Sequence, residues 1–346
     1  MNRTIKSIAG CLITLALIVC MVRKLDYIVR PTDTDTAYKQ ITAFHHLPDN
    51  SIDVIVYGSS HALNGVDTME LYREYGIGAY NYGMHWQKIN TVKLFIQDSL
   101  LSQSPKIALV ETFNAQRVLH DTDITAEIFY TRYLKDRKDC FQYLRQCFGS
   151  DPERYLSYYM PLCAFHDNWT TLTEKSFSPI NQNNNFNVNM GYAPSKNVGA
   201  ANLSDPSTVE QKQFNDLALD ELNEIVSICH GRGIEVVFFT VPCEGGNPYS
   251  DALKAFSAEN GCAYLDLCER LDEVGIDAGT DFRNSGHLNN SGAKKVSDYL
   301  GRYIVEHYDL TEMRGIKDNI WAQALDEATG AGAEADSQDD DAGEDA

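Results

Sequence analysis

Ser60 and His287 carry the chemistry this chain is equipped for. Ser60 lies in Asp53-Val54-Ile55-Val56-Tyr57-Gly58-Ser59-Ser60-His61, and His287 in Asp281-Phe282-Arg283-Asn284-Ser285-Gly286-His287-Leu288-Asn289. A hydroxyl within reach of an imidazole is an activated nucleophile, because the base takes the proton as the oxygen attacks a carbonyl. The first segment reads as a buried strand ending in a tight Gly-Ser-Ser turn. The second places a histidine in a polar loop just before a helix. Each has a plain alternative: Ser59 and Ser60 cap a helix, and His287 is a solvated loop residue. Strand-Gly-x-Ser near the start, combined with Asn-x-x-His-Leu-Asn-x-x-Gly-Ala near the end, favours a site.

The surrounding pattern must bring these two segments together. Apolar runs at 52–57, 79–82, 106–111, 234–241 and 263–267 read as strands. Between and after them, helical periodicity appears at 67–75, 90–101, 207–230 and 248–259, and from 290 onward with Val296, Tyr299, Leu300, Tyr303 and Ile304. Strands alternating with helices predict an α/β fold, a parallel sheet covered by helices on both faces. Residues 114–200 break the rhythm and are too long for a connection. Their first half, 123–148, reads as helical and Tyr-rich; 178–197 is rich in Asn, Ser and Pro and reads as a loop. An insertion at the carboxyl edge of a parallel strand lies where open α/β sheets bind ligands. It is expected to be a lid or partner-binding element, with a plain surface decoration as the alternative.

Composition narrows the function classes. The 346 residues carry a net charge of −20, which argues against nucleic acid as a partner. From Asp326 to the end there are nine acidic residues and no basic ones, so the end of the chain, bounded at 309–346, is expected to be a disordered acidic tail. Ser7 to Val22 carries no charge, and residues 1–24 read as a signal anchor, with a cleaved signal or a buried helix as alternatives. A linker at 25–50 would then lead to a domain at 51–308. Flanking charge does not set the orientation. An N-terminal anchor before one soluble domain usually leaves that domain outside the cytoplasm, so a single-pass, extracytoplasmic placement at the cell membrane is expected. The nine cysteines form no C-x-x-C pair, which argues against zinc or another bound metal and for mostly buried free thiols, with at most one or two disulfides. Asn168-Trp169-Thr170 and Asn202-Leu203-Ser204 match glycosylation acceptors.

The Gly58-Ser59-Ser60-His61 and Asn284-to-Ala293 blocks resemble the SGNH/GDSL hydrolase superfamily. They are closest to its membrane-anchored branch, which has Gly-Ser-Ser-His for Gly-Asp-Ser-Leu and includes envelope O-acyltransferases and DltD-like proteins. The likeness covers about 50–115 and 205–307. It implies a flavodoxin-like, three-layer fold. It implies that Ser60 is the nucleophile, that its N–H belongs to an oxyanion hole, and that His287 is general base and then acid. Gly83 in Tyr80-Asn81-Tyr82-Gly83-Met84 matches the second oxyanion donor, and Asn114 is the nearest match to the third. Glu111 at a strand end is a further candidate for the site or a surface acid. His61, His85 and Trp86 are candidates to line it, Trp86 by stacking on a sugar ring, although a buried aromatic is the simpler reading.

One departure matters. The superfamily has aspartate three residues before the histidine, and this chain has Asn284. An amide cannot stabilise imidazolium as a carboxylate does, and the equivalent change in serine proteases lowers kcat by roughly 10⁴. Three outcomes stay open: Asp281 bends back to serve, a slow Ser-His dyad uses Asn284 as orienter, or the site is inactive. The resemblance therefore implies an anchored serine esterase or O-acyltransferase without cofactor. It would act on an acylated glycan or teichoic-type envelope polymer, with a multi-spanning membrane acyltransferase as a partner. The rival is a non-catalytic envelope-binding scaffold. A flavodoxin-like cofactor binder is weaker, since Gly-Ser-Ser-His offers one glycine to a phosphate.

Overall fold

A computed structural model describes residues 3–30, 34–118, 128, 130–180, 185–316 and 319–335. In chain order the helices and strands that matter are α1 (Arg3–Ile28), α2 (Thr34–His45), β1 (Val54–Tyr57), α3 (Ser60–Gly65), α4 (Thr68–Tyr75), β2 (Ala79–Asn81), α5 (Ile89–Ser99) and β3 (Ile107–Glu111). The insertion contributes α6 (Arg137–Phe148), α7 (Pro152–Tyr159), α8 (Pro161–Phe165), α9 (Glu174–Phe177) and α10 (Asn185–Val188). Then come α11 (Asp216–His230), β4 (Glu235–Thr240), α12 (Ser250–Glu259), β5 (Ala263–Asp266), α13 (Leu271–Val274), β6 (Phe282–Asn284), β7 (His287–Leu288), α14 (Asn290–His307) and α15 (Ile320–Ala335).

Strands β1 to β5 form one parallel sheet in the order β2-β1-β3-β4-β5. Alternate residues point to opposite faces. Ile55, Tyr57, Ala108, Val110, Val236 and Phe238 pack with α2, α5, α11 and α12 on one face. Val54, Val56, Leu109, Val237, Phe239 and Leu265 pack with α3, α4 and α14 on the other. Both faces are covered, which is why the strands read as unbroken apolar runs. The α/β three-layer expectation holds. This strand order places a topological switch between β1 and β3, because the chain leaves β1 for β2 on one side and then crosses to β3 on the other. The crevice beyond their carboxyl ends is where such sheets bind ligands, and Ser60 follows β1.

The free edge of β2 explains three segments that sequence patterning discounts. The Gln40 side chain donates to the Asn81 carbonyl at 2.8 Å, the Asn81 N–H donates to the Met190 carbonyl at 2.8 Å, and the Trp321 indole donates to the Ala79 carbonyl at 2.9 Å. An unpaired edge is a liability, and here α2, the insertion and α15 cover it. Residues 25–50 therefore hold a helix whose Ile41 and Phe44 are core residues, where a linker was expected. The reading of 309–346 as disordered is corrected in its first part: Trp321 and Ala324 are buried in the same core. Residues 336–346 lie outside the described residues. So do 123–127 and 129 of the stretch read as helical at 123–148, whose described end is α6. The helix expected from 207 begins only at Asp216, where the Asn215 side chain caps it.

Among the described residues α1 is the one helix long and apolar enough to cross a membrane, and none of its apolar window is buried. All nine cysteines are free thiols and five are buried, in line with the expectation. We expect Trp321→Ala to cost about 3–5 kcal/mol in urea unfolding of the detergent-solubilised protein. A loss under about 1 kcal/mol, the size of an ordinary surface change, would contradict a structural role for the C-terminal helix.

Candidate functional site

The two serines of the turn divide their work. The Ser59 side chain is the N-cap of α3, accepting from the His61 N–H at 3.2 Å. That leaves Ser60, partly exposed at the first position of the helix, with its hydroxyl 2.8 Å from His287 Nε2. Gly58 makes the turn possible. Its φ of +140° is strained for any side chain, and a Cβ there would meet Glu111 Cβ at 2.5 Å.

His287 arrives on a two-stranded hairpin, with Asn284 paired to His287 and Phe282 to Leu288. Phe282 and Leu288 are buried and anchor it. Across the hairpin Asn284 Oδ1 accepts from His287 Nδ1 at 3.0 Å, and also from the backbone N–H groups of Gly286 and His287 at 3.1 and 3.0 Å. Two backbone donors require an acceptor, so the amide oxygen, and not its NH₂, faces the ring. Nδ1 must then carry the proton, and Nε2 presents a lone pair to the Ser60 hydroxyl. This is the tautomer a general base needs.

Asp281 does not take the carboxylate's place. It is buried, accepting from Ser291 Oγ and Lys295 Nζ, both at 2.6 Å, and from the Asp277 N–H at 2.7 Å. Burial would raise its carboxyl, but the bonds from Lys295 and Ser291 outweigh that and hold it below the usual range. Asp281 thus staples the hairpin to α14, which Asn289 caps by accepting from the Ser291 and Gly292 N–H groups. His287 sits low: burial is the main cause, Arg283 and His85 add to it, and its pKa falls to about 4.

Beneath Ser60 lies a buried polar chain. Glu111 Oε2 accepts from the Ser59 N–H at 3.1 Å and from Ser59 Oγ at 2.8 Å, and Oε1 accepts from the Phe113 N–H. Burial pushes this carboxyl up to about 7 against those hydrogen bonds. Glu111 is therefore an interior group of the turn and not a surface acid. His61 Nδ1 is 3.2 Å from Ser59 Oγ, and the ring stacks between Phe113 (3.7 Å between centroids) and His287 (4.9 Å). Burial first, then the neighbouring His287, lowers it to about 3, so His61 is a neutral wall of the site.

The expected oxyanion donors are placed differently. The Gly83 N–H donates to Asn81 Oδ1 at 3.0 Å, so it is not free in this conformation. Its lack of a side chain serves packing, since a Cβ would lie 2.9 Å from Ala62 Cβ. Asn114 donates to the Gln87 carbonyl at 3.2 Å. Gln87, which sequence reading did not single out, is 1% exposed. Its Oε1 accepts from the Gly58 N–H at 3.1 Å while its Nε2 is buried without a partner. No sequence signal marks it, because a lone glutamine after Trp86 is unremarkable without the contact to Gly58. Trp86 itself is 69% exposed with φ +62°, contrary to the reading of a buried aromatic. Such a backbone is costly for a non-glycine residue.

No protein-family model and no curated protein sequence matches this chain. Among solved structures, a provisionally named acylhydrolase from Bacteroides fragilis is similar at 12% identity, over 77% of this chain and 93% of that one, with a TM-score of 0.38. A likeness of that size carries no argument about the site.

In an NMR titration the His287 ring should stay neutral until the pH falls to about 4. A carboxylate in Asn284→Asp favours the charged ring, so the midpoint should move up by a unit or more. A wild-type midpoint above 6.5, or no change in the variant, would contradict the arrangement.

Proposed function

We propose that the chain is a serine esterase or O-acyltransferase of the SGNH/GDSL type that works through an acyl-Ser60 intermediate, with a base oriented by an amide. The supporting observation is the 2.8 Å Ser60 Oγ–His287 Nε2 contact, with Asn284 Oδ1 3.0 Å from the other ring nitrogen. As Ser60 Oγ bonds to an ester carbonyl, its proton passes to Nε2. The tetrahedral oxyanion collapses, the alcohol leaves with that proton, and the acyl group stays on Ser60. Water or an acceptor hydroxyl then gives its proton to Nε2 and takes the acyl group, and Nε2 returns that proton to the departing Ser60 Oγ.

Two donors suit the oxyanion. The Ser60 N–H lies in the first turn of α3, where backbone donors lack an intrahelical acceptor. Gln87 Nε2 supplies a buried N–H in need of a partner, and such donors are worth roughly 10²–10³ in kcat. The low basicity of His287 and the missing carboxylate favour a slow enzyme. Exposed Trp86 supports a sugar-bearing substrate, because an indole face stacks on pyranose rings. Helix α1 supports anchoring at a membrane, with the domain on its outer side and an acylated envelope glycan or teichoic-type polymer within reach. A multi-spanning acyl-transferring membrane protein is the partner such a transferase would need. One observation favours a non-catalytic scaffold instead: the Gly83 N–H is already bonded to Asn81.

A fluorophosphonate probe decides between them. Labelling of the wild type that vanishes in Ser60→Ala, falls by roughly 10²-fold or more in His287→Ala and by a similar factor in Gln87→Ala is the expected result. Absence of labelling from pH 5 to 9 would contradict catalysis. Asn284→Asp should raise ester turnover at least tenfold, since the same exchange in the other direction costs about 10⁴. The rate should rise as the pH passes about 4 and His287 loses its proton, and this acid limb should lie higher in Asn284→Asp. For Trp86→Ala, KM for an acylated oligosaccharide should increase while turnover of a small aryl ester stays unchanged.

A further inference from the structure

The insertion does more at the anchor than at the site. The end of α1 is gripped by it through hydrogen bonds from one residue after another. Asp26 Oδ1 accepts from the Leu162 N–H at 2.8 Å. The Tyr27 hydroxyl donates to the Ser178 carbonyl at 2.8 Å and accepts from the Ile180 N–H at 2.9 Å. The Val29 carbonyl accepts from Asn168 Nδ2 at 3.0 Å, which commits the amide of one glycosylation motif. Arg30, 5% exposed, donates to the Ser176 and Lys175 carbonyls and to both oxygens of Asp35. Short helices and irregular chain between Leu162 and Ile180 thus lock onto a helix whose apolar window is otherwise bare.

Large apolar side chains project from this same collar. Tyr159 is 56% exposed, Trp169 68%, Phe177 59% and Leu156 50%. Each of the three aromatics neighbours a gripping or groove-lining residue: Trp169 follows Asn168, Phe177 lies between Ser176 and Ser178, and Tyr159 lines a groove of about 700 Å³ with Ile18, Val19 and Val22 of α1. Heights follow from the helix rise of 1.5 Å per residue. Val29 is seven residues past Val22, about 10 Å beyond the end of the uncharged run. A headgroup layer is about 5–7 Å thick on each side of the hydrocarbon. Tyr159 therefore lies level with the hydrocarbon edge, and Trp169 and Phe177, beside residues bonded to Val29, Arg30 and Tyr27, lie at the outer boundary of the headgroups. Amphipathic aromatics are enriched at that depth.

We infer that the insertion is a membrane-interface platform: Tyr159 at the hydrocarbon edge and Trp169 and Phe177 at the outer boundary of the headgroups ring the exit of α1, so anchor and domain leave the bilayer as one body at a set height. The partner surface is a lipid bilayer. This rests on α1 spanning the membrane, as proposed above.

The test uses the full chain reconstituted into phosphatidylcholine–phosphatidylglycerol vesicles that carry nitroxides at the headgroup or near the top of the acyl chain. Shallow nitroxides should quench part of the tryptophan emission, and Trp169→Phe should lose that quenched part. Adding Phe177→Trp to that variant should restore it. Trp169 is exposed on a short 3-10 turn, so its replacement leaves the fold intact. Equal quenching of wild type and Trp169→Phe, in protein that floats with the vesicles and resists carbonate extraction, would overturn the platform and leave the anchor standing. Protein that fails to float would overturn both.

Discussion

The whole site depends on one amide oxygen. Asn284 Oδ1 is fixed by two backbone N–H groups of its own turn before it meets the imidazole. That turn decides which end of the amide faces Nδ1, hence where the proton sits on His287, hence whether Nε2 can accept from Ser60. An asparagine free to rotate would be ambivalent. One locked in this way performs the orienting half of a carboxylate's role. The other half, stabilising positive charge on the ring, is missing, and Arg283 and His85 work against it. The result is an imidazole that stays neutral at neutral pH and holds a proton only weakly.

Position comes from the sheet. Ser60 emerges from β1 at the switch point, and the Glu111–Ser59 bonds pin the turn from below. His287 comes from far along the chain on a hairpin too small to be stable alone. Buried Phe282 and Leu288, the Asp281 contacts with Ser291 and Lys295, and the Asn289 cap hold it to α14. Asp281 thus serves the geometry of the hairpin, its carboxylate bonded to Ser291, Lys295 and the Asp277 N–H.

Much of this was legible in the residues. Parallel strands covered on both faces announce themselves as apolar runs, and Ser60 and His287 carry local turn signals. Gly58 also reads correctly as part of a tight turn. The rest depends on contacts that no local pattern encodes. Phe44 and Trp321 fall in stretches without a strong apolar run, and only the edge of β2 gives their segments a place to fold. The Gly83 N–H looked available until the Asn81 side chain was found on it. Gln87 acquires meaning only from its contact with the Gly58 N–H, and Trp86 is held outward by a backbone conformation that its type disfavours. The insertion reads as a lid or partner-binding element because it follows β3, yet much of it packs against α1.

The most direct measurement of the central claim is the ¹⁵N spectrum of the His287 imidazole near pH 7. Protonated Nδ1 and bare Nε2, with that assignment lost when Asn284 becomes alanine, is the predicted result. A ring protonated on Nε2, or an Nδ1 proton indifferent to residue 284, would contradict the account.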